Sequence, residues 1–370
     1  MRLNPAYEVM EINGHYLLVD IKTDKYFEVD EDTFYLTTHL QEAGKRDEER
    51  ITFLKEKGII FENDEQTGKQ KRRIEYGGIT KIRLFSFRSE KFFRKGILKK
   101  TAESSALPWL MKLSSAIGAA LSVASMVYLM SGSAYMQENV TADRLLKVLP
   151  AVYLMSFLIT VFHELGHALI CRHYCGYVGR CGAMLFFFMP ALYTNTTVAV
   201  FAERKQRLEI IMAGVYMQLT LAGVLSILTV VATLAENEVS LVLLMLNIIN
   251  FLYIIMNLNP LFKYDGYWFL SAAWNINYLY EKSIGEVLRA GIAKNKDRKI
   301  SGRLFVYGIC LIGFYIIMWM AVIIGIYRFL YPMFGLCCLI PEGVIILLVI
   351  KEICGWDKAY RQVTEEKIPA

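Results

Sequence analysis

The chain has 370 residues, 55% of them hydrophobic, with a mean hydropathy of +0.35 and a formal net charge of +6. That is too apolar for an ordinary soluble domain. The charge is too local for a nucleic-acid binder: residues 69–100 hold twelve Lys/Arg against Glu75 and Glu90, directly before the first long apolar run. A basic segment beside a membrane span faces anionic lipid, so the lipid bilayer is the expected partner and nucleic acid is not. The seven cysteines lack the spacing of a secreted disulfide framework. Glu8, Glu11 and His15 interrupt any apolar signal-peptide core, which places the N-terminus in the cytosol.

Taken in chain order, residues 7–62 read as a small α/β unit. His15 to Asp20 and Lys25 to Val29 read as strands joined by a turn at Lys22-Thr23-Asp24. Asp30 or Asp32 caps a helix expected to run to Ala43, before Gly44. A second helix is expected from Asp47 to Lys57, and Ile59-Ile60-Phe61 as a short strand. The order, with Tyr16-Leu17-Leu18-Val19-Asp20, Lys25-Tyr26-Phe27-Glu28-Val29 and Lys57-Gly58-Ile59-Ile60, resembles the small winged-helix domain that recognises leader peptides in ribosomally made, modified peptide pathways. The resemblance implies that an extended peptide adds to the edge of the hairpin; a winged-helix packing module without ligand is the plainer alternative.

Residues 63–106 read as a polar linker followed by a basic amphipathic stretch. There Phe92, Phe93, Ile97 and Leu98 alternate with Arg94, Lys95, Lys99 and Lys100, as suits a helix lying in the membrane interface. Six spans follow, at about 109–131, 148–171, 208–235, 239–260, 304–329 and 333–350. The apolar stretch 182–200, broken by Pro190, is too short to span and reads as a membrane-embedded hairpin or re-entrant loop, with Tyr193 and Asn195 at its turn. Arg172, Arg180, Arg204, Lys205 and Arg207, eight Lys/Arg from Lys263 to Arg303, and Lys351, Lys358, Arg361 and Lys367 fall on one side; Arg144 and Lys147 fall on the other. By the positive-inside rule both termini are cytosolic, in a multi-pass protein of the cytoplasmic membrane.

The chemistry sits at His163-Glu164-Leu165-Gly166-His167, inside the second span. Residues i and i+4 share a helix face, so both imidazoles reach one metal, and Glu164 stands beside them as a general base. Burying three ionisable groups in a span is costly without a function. Counted back from Arg172, His167 lies about 8 Å and His163 about 13 Å below the surface. A catalytic zinc needs a third protein ligand and an open position. The candidate lies in Asn257-Leu258-Asn259-Pro260-Leu261-Phe262-Lys263-Tyr264-Asp265-Gly266, where Pro260 breaks the fourth span, Asn257 and Asn259 satisfy freed backbone groups, and Asp265 turns back. By spacing alone, an Asp-Gly turn at the membrane boundary serves equally well.

Together these two motifs resemble those of the site-2 protease family, which pairs His-Glu-x-x-His with Asn-x-x-Pro-x-x-x-x-Asp-Gly. The resemblance covers about residues 148–270. It implies a site-2 protease-like core with Asp265 as the third zinc ligand. With the readings above, the expected fold is a polytopic α-helical membrane protein of about six spans with a small cytosolic α+β winged-helix-like N-terminal domain. The expected site is one catalytic Zn2+ held by His163, His167 and Asp265, with Glu164 as general base and Asn257, Asn259, Tyr193 and Asn195 at the substrate. Lys263-Tyr264 stand where the family has Pro-Leu, Tyr267 replaces a second Gly, and Gly214-Val215-Tyr216-Met217-Gln218 stands for Gly-Pro-x-x-Asn. The expected division is a peptide-recognition domain over 1–65, a basic linker and interfacial helix over 66–106, a transmembrane peptidase domain over 107–350 and a cytosolic tail over 351–370.

The expected partner is a peptide substrate, a leader-bearing precursor that undergoes modification. Cleavage of a single-span signalling protein and a non-catalytic receptor or export subunit are the alternatives. Cys171, Cys175 and Cys181 with His173 could form a second metal site, though free thiols are the simpler reading.

Overall fold

The computed structural model describes residues 2–21, 25–40, 48–61, 81–93, 95–131, 140–186, 189–292, 301–335, 343 and 347. The chain divides into two compact units, Met1–Leu258 and Asn259–Ala370. Among the described residues, five helices are long and apolar enough to cross a membrane: Leu107–Met130, Ala142–Cys175, Arg204–Leu234, Val239–Leu258 and Gly302–Pro332. The chain is therefore built as a polytopic helical membrane protein with a small N-terminal three-stranded sheet. The sixth expected span, 333–350, lies largely outside the described residues, as do the turn at 22–24 and the tail at 351–370.

The first unit opens with β1 (Arg2–Leu3), β2 (Tyr7–Ile12), β3 (His15–Asp20) and β4 (Lys25–Val29). Strands β2, β3 and β4 form an antiparallel sheet in that order. The β2 strand has no counterpart in the sequence reading, although its turn is written plainly. Asn13 and Gly14 join β2 to β3 at φ +50° and +79°, the left-handed pair that a two-residue hairpin of matching twist demands. Helix α1 (Glu31–Thr38) starts at the expected cap, Asp30, whose carboxylate accepts from the Thr33 amide. It stops at His39 rather than at Ala43; residues 41–47 are outside the described set. Helix α2 (Glu48–Glu56) is tied back by Arg50, which pairs with Asp30 at 3.0 Å and Asp32 at 2.9 Å. Then β5 (Ile60–Phe61) pairs with β1.

Alternation along β3 sends its side chains to two cores. Leu18 joins Leu36, Leu40, Ile51, Leu54 and Ile60 under α1 and α2. Leu17 and Val19 join Phe93, Ala102, Ala168, Leu169, Ile170 and Cys171, beneath the membrane helices. The expected boundary at residue 65 is thus not a gap in packing: the sheet shares a core with the span that bears the histidines.

Residues 62–80 of the expected linker lie outside the described residues; from Lys81 the stretch holds a strand and two short helices. Strand β6 (Lys81–Arg88) pairs antiparallel with β7 (Arg180–Phe186), which pairs in turn with β8 (Met189–Thr194). In Lys81-Ile-Arg-Leu-Phe-Ser-Phe-Arg88 the apolar alternation changes phase at Leu84-Phe85, and there the register slips, as a bulge requires. The hairpin β7–β8 falls in the stretch expected as an embedded hairpin or re-entrant loop. Its pairs run from Phe186–Met189 to Cys181–Thr194, so Tyr193 lies inside a strand and Asn195 just beyond it, not at the turn. Helices α3 (Glu90–Phe93) and α4 (Ile97–Glu103) are separated at Gly96, φ +85°. Phe92 and Ile97 face outward while Phe93 and Ala102 are buried, so only half the apolar set of this stretch is left for lipid.

Four spans complete the first unit: α5 (Leu107–Met130), α6 (Ala142–Cys175), α7 (Arg204–Leu234) and α8 (Val239–Leu258). Helix α6 ends at Gly176, whose φ of +66° is the left-handed close of a helix. Large apolar side chains such as Val127, Leu154, Val231 and Ile255 are exposed on the outer faces, as lipid-facing surfaces must be. Helices α5 and α7 meet through glycine, since apolar burial supplies little drive between helices in lipid. A Cβ on Gly118 would stand 2.2 Å from the Leu219 carbonyl oxygen, and one on Gly223 would stand 2.5 Å from the Gly118 Cα.

The second unit holds α9 (Asp265–Trp274), α10 (Leu279–Ile292) and α11 (Gly302–Phe334), packed around Tyr267, Leu279, Tyr280, Ile284, Tyr307 and Leu311.

Gly118→Val is expected to pry α5 from α7 at a cost of about 1–3 kcal/mol. Thermal unfolding in detergent checks this, with Gly313→Val as control, because a Cβ at Gly313 meets nothing within 4 Å.

Candidate metal centre

Helix α6 carries His163 and His167 one turn apart on its buried face, each 8% exposed. Their rings meet edge to face, with centroids 4.7 Å apart and Nε2 atoms 3.1 Å apart. The other ring nitrogen of each histidine is fixed by helix α7. His167 Nδ1 lies 2.9 Å from the Ile210 carbonyl oxygen, which only accepts, so Nδ1 carries the hydrogen. His163 Nδ1 lies 3.1 Å from Gln218 Oε1, another acceptor. With the hydrogen on each Nδ1, each Nε2 of the neutral rings holds a lone pair, and the two Nε2 atoms converge.

That arrangement fits a cation. Tetrahedral zinc with Zn–N bonds of about 2.0–2.1 Å sets its ligand nitrogens about 3.3 Å apart, close to the observed separation. A metal-binding histidine ordinarily donates its second N–H to a carbonyl or carboxylate, which sets tautomer and ring direction; both rings here do so. The donor set of neutral imidazole nitrogens suits zinc.

Glycine makes the approach of α7 possible. A Cβ on Gly214 would sit 2.4 Å from His163 Cε1 and 2.5 Å from His167 Nε2. A Cβ on Gly166 would sit 2.5 Å from the Ala213 carbonyl oxygen. Ile210, Gly214 and Gln218 recur every fourth residue on α7, so one helical stripe supplies an acceptor, a gap and a second acceptor. The sequence reading noted Gly214 and Gln218 as a divergent motif without giving either a role. Their four-residue spacing was the signal available.

Helix α8 reinforces Gln218. Asn257 Nδ2 donates to Gln218 Oε1 at 3.1 Å and lies 3.4 Å from His163 Nδ1. Asn250, fully buried, donates to the Gln218 backbone carbonyl at 2.9 Å. Asn257, expected at the substrate, thus stands behind a histidine ring, and Asn250 is a supporting residue that the sequence did not single out.

Glu164 is half-buried on α6, and among the described residues no hydrogen bond or ion pair engages its carboxylate. Its backbone carbonyl accepts from Thr194 Oγ1 at 3.3 Å, which brings the end of β8 to the same helical turn. Tyr193 pairs with Gly182 across β7 and β8. Asn195 serves the turn after β8: its Oδ1 accepts from the Thr197 amide at 3.0 Å and hydroxyl at 2.6 Å.

Asp265 opens α9 in the second unit. Before it, Asn259 Oδ1 accepts from the Leu261 amide at 2.9 Å, the backbone-satisfying role expected beside Pro260. The cysteines form no second centre: among the described residues, no group of three side chains placed to share a metal includes one. Cys171 points to the Tyr177 carbonyl, Cys181 to Thr194, and His173 to the Ala102 carbonyl.

No family model, curated protein or solved structure matches this chain. The functional reading therefore stands on the residues themselves.

Gly214→Ala should drive the rings apart and weaken zinc binding by about tenfold or more. Chelator-competition titration measures it. Equal affinity in the variant would show that the rings do not need this gap.

Proposed function

We propose that the chain is a membrane-embedded zinc endopeptidase of the site-2 protease type, which trims a precursor peptide presented by its N-terminal sheet. The carrying observation is the pair of converging Nε2 atoms 3.1 Å apart, each backed by an acceptor at Nδ1. Asp265 is the proposed third ligand. Support for it comes from the motif: eight residues after Asn257, the chain has turned at Pro260 and starts a new helix with Asp265.

Bound zinc supplies Lewis acidity to a substrate carbonyl and to a water. Glu164 takes the proton of the attacking water and returns it to the leaving amine. Its unengaged carboxylate suits that double role. Gln218, with Asn257 and Asn250 behind it, holds the His163 ring against rotation, and the Ile210 carbonyl does the same for His167. The substrate needs an extended backbone for a peptide bond to be reached. Strand β8 ends the sheet order β6-β7-β8 among the described strands, and strand addition to its outer edge delivers the peptide beside Glu164.

Peptide trimming is preferred over cleavage of a single-span signalling protein because of one packing fact. Leu17 and Val19 of the N-terminal sheet share a core with Ala168 and Cys171, one turn from His167. A peptide held on that sheet is already near the helix that carries Glu164. The proposed setting is the cytoplasmic membrane with both termini cytosolic, as the charge asymmetry requires.

Glu164→Gln should retain one zinc per chain and lose cleavage of a candidate precursor by about 100-fold or more. Metal analysis and a cleavage assay on detergent-purified wild type and variant test this together. A chelator should abolish wild-type cleavage and added zinc restore it. Wild type that takes up no zinc would overturn the reading.

A further inference from the structure

The turn that precedes Asp265 is held by three side chains, two tyrosines from outside it and its own Lys263. Pro260 has no N–H, and where the helix breaks, the carbonyls of residues 260 and 261 need new donors. Two tyrosines provide them. Tyr307 of α11 donates its hydroxyl to the Pro260 carbonyl at 2.7 Å. Tyr280 of α10 donates to the Leu261 carbonyl. Two residues on, Lys263 Nζ pairs with Glu281 of α10 at 2.9 Å and lies over the rings of Tyr280, at 5.0 Å, and Tyr267, at 5.9 Å. The two tyrosines are themselves packed: Tyr267 meets Tyr280 edge to face at 4.7 Å, and Tyr280 meets Tyr307 at 6.2 Å. Burial pushes the Tyr280 hydroxyl far above the usual phenol range, so it stays a donor.

Lys263 stands where a proline was expected from the resemblance. A proline restricts the chain covalently by locking φ. Lysine leaves φ free, so any restraint must come from contacts. The ion pair and the two aromatic faces supply such contacts at that position.

We propose that Tyr280, Tyr307 and Lys263 are positioning residues for Asp265, a clamp of side-chain contacts that does the work of a proline-stiffened turn. The proposal rests on the reading of Asp265 as a zinc ligand. The clamp acts through the backbone of residues 260–264 and touches neither metal nor substrate.

The test uses full-length protein in detergent: Tyr280→Phe with Tyr307→Phe, Lys263→Met, Lys263→Arg, and Asp265→Asn as reference. Phenylalanine keeps the rings and removes only the hydroxyls. Zinc affinity should fall about 10–100-fold in the double variant and in Lys263→Met, and Lys263→Arg should stay within about threefold of wild type. Cobalt-substituted protein should show weakened and shifted d–d bands in the same two variants, a readout that general loosening elsewhere does not produce. Hydrogen exchange at amides 261–268, followed without metal, should speed up about tenfold in the double variant. Unchanged exchange would overturn the clamp itself. Faster exchange with wild-type zinc affinity and cobalt bands would overturn its positioning role. If Asp265→Asn binds zinc like wild type, the ligand assignment fails instead, and the exchange data still decide whether the clamp exists.

Discussion

Two imidazole Nε2 atoms 3.1 Å apart in a buried setting are an arrangement that neighbouring groups impose on the rings. Left alone, either ring could rotate or change tautomer and share one hydrogen between the two nitrogens. The Ile210 carbonyl and Gln218 Oε1 prevent this by taking the N–H on the far side of each ring. In the proposed metal site, rings fixed in this way in a setting of low dielectric would favour a cation at their focus. Much of the first unit can be understood as holding that preference in place.

The holding is done by helix contacts and glycine. Helix α7 must approach α6 closely enough for its backbone at Ile210 to reach an imidazole, and Gly214 and Gly166 give the room. On its opposite face α7 is pressed by α5 through Gly118 and Gly223. At the end of the stripe that faces the rings, α8 braces Gln218 with Asn250 and Asn257. The middle helix is therefore confined from several directions, which a hydrogen bond to a single ring orientation needs. Polar side chains between the helices, such as Ser226 with Asn247 and Ser122, add directional contacts where dispersion alone would let the helices slide.

Legibility in the sequence followed the range of each signal. The His-Glu-x-x-His helix, four of the spans in the first unit, β3, β4 and the Asp30 cap were readable because periodicity and caps act within a few residues. The β2 hairpin was equally local, and Asn13-Gly14 announced it; the charged Glu8 and Glu11 drew attention away from a strand whose outer side is exposed. Strand β6 was harder. Its basic residues read as part of a segment facing anionic lipid, and its partner lies about a hundred residues later. Nothing near Lys81 reveals that β7 will arrive. Gln218 and Gly214 carried a visible spacing, but their meaning depends on which helix they face. Asp265 was readable only through its distance from Asn257 and Pro260.

The N-terminal sheet leaves the ribosome well before the surface that covers its second face. Leu18 finds its neighbours within about forty residues, yet Leu17 and Val19 wait for helix α6 and the segment around Val198, and Asn13 reaches Phe201 across 188 positions. For that interval the young chain carries an apolar sheet face that nothing yet covers, while its first spans are still being made. Such long-range closure is slow and open to mispairing. A cell making this protein must shield that face or keep synthesis and membrane insertion closely coupled. For the same reason, transplanting residues 1–61 alone would yield a sheet with one side bare.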